Sequence, residues 1–540
     1  MEIPIIDIFA GPGGLGEGFS SLIDPESKKR AFKISLSIEK EYFAHQTLEL
    51  RSFYRQFPPG QVPLEYYEFV RGRLTVDDLY KAHPKQAADA KVEAWRAQLG
   101  EDDKAVSNEK VDQRISNALN GKENWFLIGG PPCQAYSVVG RSRRRDKLLD
   151  EKKDARVGLY KQYLRILAVH NPAVFVMENV KGLLSARTKA ASVFENIIND
   201  LSDPVKAHRS EYGSNGVSLK CPGYRIFSLV AKPRNLDANN NPVFRPADFL
   251  IYSEKHGIPQ TRHRVILLGI RKNIDVIEPG ILPEEKEVNV EQVLNGLPKL
   301  RSGLSKIKDT QANWTLTLKA IRNNGILREI DKDIRDEIEN HLQGLKNAPR
   351  TIGAEFVPNS IDTDYEPRWF LNENLKGACN HQSRGHMESD LLRYLFVSCF
   401  GKVRGRSPNL KDFPEDLLPA HKNVKEKKFS DRFRVQLANA SSKTITSHIS
   451  KDGHYYIHPD PSQCRSLTVR EAARIQTFPD DYYFCGPRTA QFIQVGNAVP
   501  PLLANKIAEI VCDLFEKIEN DDESINTAMI DSNLIPLNHG

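Results

Sequence analysis

The sequence predicts an α/β fold whose centre is an open, mostly parallel β-sheet. Three observations predict it: several short apolar segments are typical of buried strands, a glycine-rich turn follows the first of them, and a helical pattern joins two others. The chain of 540 residues is long enough for roughly three or four folding units. Its 40% hydrophobic and 27% charged residues are typical of a soluble globular protein and argue against fibrous or wholly disordered classes.

The first predicted unit is a strand, a turn and a helix at the start of the chain. Residues 3–9 (IPIIDIF) are almost all apolar, and residues 10–18 (AGPGGLGEG) supply the glycines of a tight turn. A second strand over 32–38 ends at Glu39, where an acid can accept hydrogen bonds from ribose hydroxyls. Because the turn has little basic character and lacks the triphosphate-binding pattern, it favours an adenosine cofactor without phosphate.

Two further strands and the helix between them come before the middle of the chain. Residues 125–128 (WFLI) run into the turn GGPPCQ at 129–134, and residues 173–177 (AVFVM) run into ENV at 178–180. Residues 159–170 between them have helical spacing, so the two strands should be parallel neighbours. Polar residues therefore follow these strands at the edge where open α/β sheets bind ligands.

The alternation of strands and helices divides the chain into three parts, because it stops in the second part and resumes in the third. Residues 1–273 are predicted to form the first domain, and a charged stretch at about 51–124 is interpreted as an insertion within it. The alternation is absent over 274–463, a length sufficient for a second, smaller domain. Residues 464–540 are predicted to return to the first domain, with an amphipathic helix over 502–518 and then a polar tail.

Charge, cysteine content and hydropathy exclude several classes of protein. The net charge of +6 is only mildly basic, but residues 402–434 hold ten basic and five acidic residues. The seven cysteines are scattered without a Cys-x-x-Cys pair, which argues against a disulfide framework or a zinc site, and no metal is expected. No apolar run reaches the ~18 residues of a membrane helix. The start of the chain lacks the features of a signal peptide, so a cytoplasmic protein is expected.

Four side chains are candidates for chemistry at the predicted sheet edge. Cys133 stands in a proline-fixed turn after a strand; a cysteine is more often a small buried hydrophobe, but this turn keeps it at the ligand-binding edge, where cations favour a thiolate. Glu178 ends another strand and can bring a carboxyl to whatever the thiolate attacks. Arg262 and Arg264 share one face of an extended segment, and the plainer interpretation is a surface pair that binds a carboxylate or a phosphate.

Taken together and in order, six segments resemble the motifs of DNA cytosine-5 methyltransferases of the bacterial restriction-modification type. They are DIFAGPGGLGEGF (7–19, motif I), GPPCQ (130–134, motif IV), ENV (178–180, motif VI), QTRHR (260–264, motif VIII), RSLTVREAARIQ (465–476, motif IX) and QVGNAVP (494–500, motif X).

The resemblance implies a Rossmann-like, S-adenosylmethionine-dependent methyltransferase domain with a mixed, mostly parallel sheet, and a smaller target-recognition domain at 274–463. It implies that the target cytosine is flipped out of double-stranded DNA. The Cys133 thiolate then adds to carbon 6, because carbon 5 alone is too weak a nucleophile to take the methyl group. Glu178, held by Asn179, would contact ring nitrogen 3, and Arg264, with Arg262 beside it, the carbonyl oxygen at carbon 2.

The same resemblance implies two sets of binding residues. Those for S-adenosylmethionine are Phe9, Ala10, Gly11, Gly13, Gly14, Leu15, Glu39, Pro131, Asn497 and Ala498. Those for DNA are Gln134, Ser137, Arg141, Arg143, Arg144 and Arg145, on a loop expected to close on phosphates. The aspartate that family members carry after the third strand is not identified, although Asp77 and Asp78 are candidates.

Other functions stay open at this stage. A tRNA-methylating branch has similar motifs, although the long block before motif IX favours DNA. The chain can also be a catalytically idle nucleic-acid-binding protein. A nicotinamide-dependent oxidoreductase, suggested by the glycine turn alone, leaves the other five motifs unexplained. One catalytic and one recognition unit per chain predict a monomer, and a separately encoded cognate restriction endonuclease stays open as a partner.

Overall fold

The computed structural model describes residues 2–131, 157–186, 192–212, 219, 221–275, 278–323, 325–419 and 431–532. The strands of the described residues are β1 (Ile3–Ile8), β2 (Phe32–Glu39), β3 (Ala94–Arg96), β4 (Phe126–Gly129), β5 (Val174–Val180), β6 (Tyr224–Phe227), β7 (Asn235–Leu236), β8 (Pro242–Val243), β9 (Leu250–Tyr252), β10 (Gln260–Thr261), β11 (His263–Arg271), β12 (Gly303–Leu304), β13 (Gly353–Pro358), β14 (Gly377–Gln382), β15 (Gly385–His386) and β16 (Ser442–Lys443).

The helices are distributed along the whole chain. Those in the first half are α1 (Gly14–Ser20), α2 (Tyr42–Arg55), α3 (Leu64–Val70), α4 (Val76–Ala82), α5 (Pro84–Glu93), α6 (Asn108–Leu119), α7 (Val157–His170), α8 (Val193–Ser202) and α9 (Pro204–Tyr212). Those in the second half are α10 (Val290–Leu294), α11 (Gln311–Lys319), α12 (Lys332–Gln343), α13 (Pro367–Phe370), α14 (Glu388–Arg404), α15 (Val469–Ile475), α16 (Arg488–Asn497) and α17 (Pro501–Ser532).

An eight-stranded mixed sheet forms the centre of the molecule, in the order β3-β2-β1-β4-β5-β11-β6, with β9 also paired to β11. The strands from β3 to β5 are parallel, whereas β11 runs antiparallel to β5, β6 and β9. The predicted α/β fold with a mixed, mostly parallel sheet is confirmed. Parallel neighbours need crossover connections, which places helices on both faces of the sheet.

Both faces of the sheet are covered by hydrophobic cores. On one face, Phe19 of α1 and Ile507 of α17 pack with the apolar side chains of β1 and β2. On the other face, Ile115 of α6 and Leu167 of α7 pack with β4 and β5. The helix α17 begins where the sequence predicts an amphipathic helix but continues to Ser532, so the predicted end at residue 518 is wrong. No described helix is both long and apolar enough to cross a membrane.

The charged stretch 51–124 is not a single appended unit. Its strand β3 pairs in parallel with β2 at the edge of the central sheet, and α6 packs on the same sheet. The helices α3, α4 and α5 instead share a separate hydrophobic cluster with Leu375 and Cys379 of the 274–463 block. The charged composition conceals β3 in the sequence, because an edge strand is short and only partly buried.

The block 274–463 contains a hydrophobic core in which α11, α12 and α14 pack together. Trp314, Ile338 and Leu395 are fully buried in it. The antiparallel strands β13 and β14 of this block contact the α3–α5 helices through Phe356 and Cys379. Arg71, which follows α3, donates a hydrogen bond to the carbonyl oxygen of Leu375 at 3.3 Å.

A buried ion-pair network joins α1 and α2 to the segment between α15 and α16. Arg51 of α2 donates to Glu17 of α1 at 2.9 Å and to Asp481 at 3.0 Å. Asp481 also accepts hydrogen bonds from Tyr54 at 2.9 Å and from Asn372 at 2.7 Å. Burial alone would raise the pKa of Glu17, but the Arg51 guanidinium more than reverses this and holds that pKa below its usual value.

We predict that Arg51→Ala strongly destabilises the protein. The variant removes the Arg51 partner of the buried Asp481 and leaves Glu17 paired with the more distant Arg55, whose Nη1 lies 3.9 Å from Glu17 Oε2. Removing one partner of a buried ion pair costs about 3–5 kcal/mol. Urea denaturation followed by circular dichroism measures this as a lower midpoint. The matched control is Arg73→Ala, whose side chain is 69% exposed, and its midpoint should stay close to that of the unmodified protein. Equal midpoints for the two variants would contradict the prediction.

Candidate active site

A cavity of about 540 Å³ lies at the carboxyl ends of β1, β2, β4 and β5. Its wall brings together residues from both ends of the chain. The wall includes Asp7, Phe9, Ala10, Gly11, Gly14, Leu15, Ile38, Glu39, Ala97, Leu99, Gly130, Pro131, Glu178, Asn179, Val180, Arg262, Arg264, Thr446, Ser447, Asn497 and Ala498. The cavity is therefore at the sheet edge where the sequence predicts a ligand site.

The glycine-rich turn after β1 is held by the carboxylate of Glu39. The backbone N–H of Gly11 donates to Glu39 Oε2 at 2.8 Å, and that of Glu41 donates to Oε1 at 2.7 Å. Phe9, Gly11 and Gly13 adopt positive φ angles of 58°, 60° and 94°, a conformation that costs a non-glycine residue such as Phe9 energy and is concentrated at functional sites. Burial raises the pKa of Glu39.

Gly14 allows the end of the chain to approach this turn. A Cβ atom at Gly14 would lie 2.3 Å from the carbonyl oxygen of Val499, so no larger residue fits there. This contact brings Asn497 and Ala498 to the cavity. All of the residues predicted to bind the cofactor line the cavity except Gly13, which lies behind the turn against Leu48 and Tyr482.

Glu178 and Arg264 form an ion pair in the cavity wall. Arg264 Nε lies 2.6 Å from Glu178 Oε1, and the exposed fraction of each side chain is 14%. They meet because β5 and β11 are antiparallel neighbours in which Arg264 pairs with Val180. A Cβ atom at Gly130 would lie only 3.0 Å from Glu178 Oε2, so the glycine after β4 makes room for this carboxylate. The Oδ1 atom of Asn179 accepts a hydrogen bond from the Val180 N–H at 2.8 Å.

Arg262 lines the same cavity but is directed at the backbone. It is 1% exposed and donates to the carbonyl oxygens of Ile445 at 2.7 Å and Gly496 at 3.4 Å. Burial and the neighbouring Arg264 lower its pKa well below the usual value. Arg262 thus ties β11 to the segment before Thr446 and to the end of α16.

Several residues of the wall are missing from the sequence-based set. Asp7 is 1% exposed, and among the described residues neither of its carboxyl oxygens has a hydrogen-bond partner. Burial raises its pKa to about 8. An acid inside an otherwise apolar strand, directly before a glycine turn, was the available signal. Thr446 and Ser447 carry no comparable signal, because they lie far from every motif in the sequence and reach the wall only through the approach of Gly496 to their backbone.

The third strand ends without an acid at the cavity. The residues after β3 that line the wall are Ala97 and Leu99, which are apolar. Asp77 and Asp78 lie instead in the exposed first turn of α4, so neither is the acid at the end of the third strand.

Some predicted residues lie outside the described residues. They are Cys133, Gln134, Ser137, Arg141, Arg143, Arg144 and Arg145. Gly130 and Pro131, which precede Cys133 in the chain, line the cavity.

The basic segment 402–434 offers less free charge than its composition suggests. Lys402 pairs with Glu337 at 2.7 Å, and Arg406 pairs with Asp412 at 2.8 Å. Arg404, Arg432 and Arg434 also have carboxylate partners within 4 Å. The lysines at 422, 425, 427 and 428 lie outside the described residues.

The known proteins that are similar to this chain include several methyltransferases. Residues 89–204 and 248–512 match the family described as C-5 cytosine-specific DNA methylase. The chain is 34% identical over 532 residues to the type II methyltransferase M.Bpa9945I of Bacillus paralicheniformis. The aligned region covers 94% of this chain and 98% of that protein. The chain is 24% identical to the type II methyltransferase M.DdeI of Desulfomicrobium norvegicum, over 96% of this chain and 91% of that protein.

A third relative names the reaction. The DNA (cytosine-5-)-methyltransferase M.ApeKI of Aeropyrum pernix is 26% identical over 74% of this chain and 83% of its own length. The family matches more than half of this chain, so the resemblance predicted from six motifs is confirmed. This chain belongs to the C-5 cytosine-specific DNA methylase family and is a DNA cytosine-5 methyltransferase.

Proposed function

We propose that the 540 Å³ cavity holds S-adenosylmethionine beside a cytosine flipped out of duplex DNA, and that Cys133, Glu178 and Arg264 carry out methyl transfer there. The observation that carries this proposal is the Glu178–Arg264 pair, which shares one cavity with the glycine-rich turn and Glu39. The carboxyl and the guanidinium of this pair can hydrogen-bond to the polar ring of a cytosine. The glycine-rich turn in the same cavity is suited to the nucleoside portion of the cofactor.

The residues of the cavity fit S-adenosylmethionine. When bound, this cofactor supplies a methyl group on a positively charged sulfur. Asp7 has a buried carboxyl without a partner among the described residues, which suits the ammonium of the amino-acid portion. Glu39 uses one hydrogen bond on each oxygen for the turn and keeps further lone pairs for ribose hydroxyls. Ile38 and Leu99 offer apolar surface to the adenine.

The proposed chemistry divides between three side chains. The Cys133 thiolate adds to carbon 6 of the cytosine, which makes carbon 5 nucleophilic. Glu178 hydrogen-bonds or protonates ring nitrogen 3, so that negative charge does not accumulate on the ring. Arg264 orients Glu178 and donates to the carbonyl oxygen at carbon 2. Loss of the proton from carbon 5 after methyl transfer then expels the cysteine. Arg262 and Asn179 are positioning residues in this proposal.

The domain roles follow from the same proposal. Residues 274–463 are the target-recognition domain, residues 1–273 with 464–540 are the catalytic domain, and the loop with Arg141 and Arg143–Arg145 contacts phosphates together with Gln134 and Ser137. The enzyme acts as a monomer in a restriction-modification system. Its relatives named type II methyltransferases support that system, and sedimentation of a stable dimer without DNA would contradict the monomer.

The proposed function is tested by expressing the protein in a host without cytosine methylation. Genomic 5-methylcytosine is mapped at base resolution, and total RNA from the same cells is analysed for the same base. We expect methylation at one short DNA motif and none in the RNA. Methylated RNA with unmethylated DNA would overturn the substrate. Genomic DNA from these cells should also resist a restriction endonuclease that cuts the same motif.

We predict that Asp7→Asn weakens cofactor binding and changes the pH dependence of stability. Loss of the carboxylate that Asp7 forms above its folded pKa should raise the dissociation constant of S-adenosylmethionine about tenfold, measured by calorimetry at about pH 9. Because the folded pKa of about 8 exceeds the unfolded value, Asp7 ionises first in the unfolded chain, and stability falls as pH rises from about 4 to about 8. The variant should therefore melt at a higher temperature than the unmodified protein at pH 8, without cofactor.

The exposed Asp77→Asn is the control for both measurements, and neither should change in it. An unchanged dissociation constant in Asp7→Asn would remove Asp7 from the cofactor site.

A further inference from the structure

We propose that Lys181, Tyr252 and His263 form a phosphate-binding surface for the DNA strand that carries the target cytosine. We call these three residues the rim. This inference rests on the proposed function, because it assumes that DNA enters the cavity beside Glu178. It adds DNA contacts by Lys181 and Tyr252, which lie outside the six motifs, and by His263, a residue of motif VIII to which no role has been given above.

The register of the sheet places the rim one backbone row beyond two residues of the cavity wall. Arg264 of β11 pairs with Val180 of β5 on one side and with Ile251 of β9 on the other. Val180 and Arg264 both line the cavity. One position further out, His263 pairs with Tyr252, and Lys181 follows Val180 in the chain. The rim is thus the next row of residues beyond the wall that carries Arg264.

The side chains of the rim contact one another. The rings of Tyr252 and His263 lie 4.5 Å apart between centroids, and the Lys181 Nζ atom is 6.0 Å from the centroid of the Tyr252 ring. His263 Nε2 lies 2.8 Å from Glu254 Oε1, which fixes the ring beneath Tyr252. The rim is therefore an organised surface rather than three independent side chains.

Exposure and charge suit the rim to a phosphate. Tyr252 is 37% exposed, and Lys181 is also exposed. Within the part of the chain that the structure describes, no carboxylate lies within 4 Å of Lys181 Nζ, in contrast to Lys402, Arg404 and Arg406 of the basic segment. An exposed lysine beside an aromatic ring combines a charge for the phosphate with a face for the sugar or a base.

The position beside the wall makes the occupant a DNA strand. A cytosine that enters the cavity remains attached to its own backbone, so the phosphates next to it must pass the cavity mouth. Lys181 and Tyr252 lie one residue beyond Val180 and Arg264 at this edge. A phosphate held there would stabilise the flipped strand without any contact to the bases, and the contact would not depend on sequence.

The rim is tested by the salt dependence of DNA binding. The probe is a fluorescein-labelled, unmethylated DNA duplex that carries the motif which the enzyme methylates. It is titrated with enzyme at several salt concentrations. We expect Lys181→Gln to bind more weakly at low salt and to reduce the slope of log affinity against log salt by about 1, the value for one lost phosphate contact. Tyr252→Phe should bind as the unmodified enzyme does, whereas Tyr252→Ala should bind more weakly.

The matched control is Lys33→Gln, which removes an exposed lysine at the opposite end of β2, away from the cavity. Its slope should not change, and S-adenosylmethionine should bind equally well to every variant. A slope in Lys181→Gln equal to that of the unmodified enzyme would overturn the rim while methylation by the unmodified enzyme still supports the proposed function. Failure of the unmodified enzyme to bind or methylate DNA would overturn both.

Discussion

Cys133→Ala is expected to abolish methyl transfer to DNA while S-adenosylmethionine still binds. Without the thiolate, carbon 5 of the cytosine is not activated, and removing a covalent nucleophile lowers the turnover rate by on the order of 10³-fold or more. The rate is measured by transfer of a radiolabelled methyl group to unmethylated plasmid DNA at saturating cofactor. Calorimetry with S-adenosylmethionine shows in parallel that the cofactor site is intact.

A second cysteine variant, Cys512→Ala, shows whether loss of activity is specific to Cys133. Cys512 lies on α17, is partly exposed and is not among the residues that line the cavity. Cys512→Ala should therefore retain the activity of the unmodified enzyme. Full activity of Cys133→Ala would show that the reaction does not use this thiolate, and the proposed mechanism would then be wrong.

Glu178→Gln is expected to lower the turnover rate at saturating DNA by about 10²- to 10³-fold. The amide has the same shape but cannot supply a proton or a negative charge to the cytosine, and it leaves Arg264 without the carboxylate that lies 2.6 Å from it. The affinity for S-adenosylmethionine should stay the same, since Glu39 and Asp7 are unchanged. Glu284→Gln, whose side chain is 75% exposed, is the matched control and should be fully active.

A double variant tests whether Glu178 and Arg264 act as a unit. If Arg264 works mainly by orienting Glu178, then Arg264→Met should cost little more when it is added to Glu178→Gln. Additive losses would mean that the two side chains contact the cytosine independently. A Glu178→Gln enzyme with an unchanged turnover rate would remove the carboxyl from the chemistry altogether.

Local patterns in the sequence located most of the central elements. The apolar segments at 3–9, 32–38, 125–128 and 173–177 correspond to β1, β2, β4 and β5, and the helix predicted at 159–170 corresponds to α7. These patterns can be read directly because buried strands and amphipathic helices differ in the spacing of apolar residues over a few turns. The strand β3 was not predicted, because its three residues lie within charged sequence.

The residues of the candidate site also fall into those predicted from the sequence and those found only in the structure. Glu178 and Glu39 were predicted from their positions at the ends of strands, and Arg264 from its place in an extended segment; all three line the cavity. Asp7 was visible in the sequence as an acid in an apolar strand, but only the structure showed that its carboxyl oxygens have no hydrogen-bond partner within the described part of the chain. Some charges of the basic segment 402–434 are paired with acids that are far from it in sequence, such as Glu337 and Asp333, and composition alone does not show these pairs.

The sequence by itself determined the family, the α/β fold class and the chemical residue types, because motifs and periodicity are properties of short segments. Only the tertiary structure decided that β11 runs antiparallel beside β5, that Arg262 binds backbone carbonyls, and that Thr446 reaches the cavity. These features depend on contacts between residues 50 or more positions apart. Such contacts are set by how whole elements bury their apolar faces against one another, and no short segment of the chain records that packing.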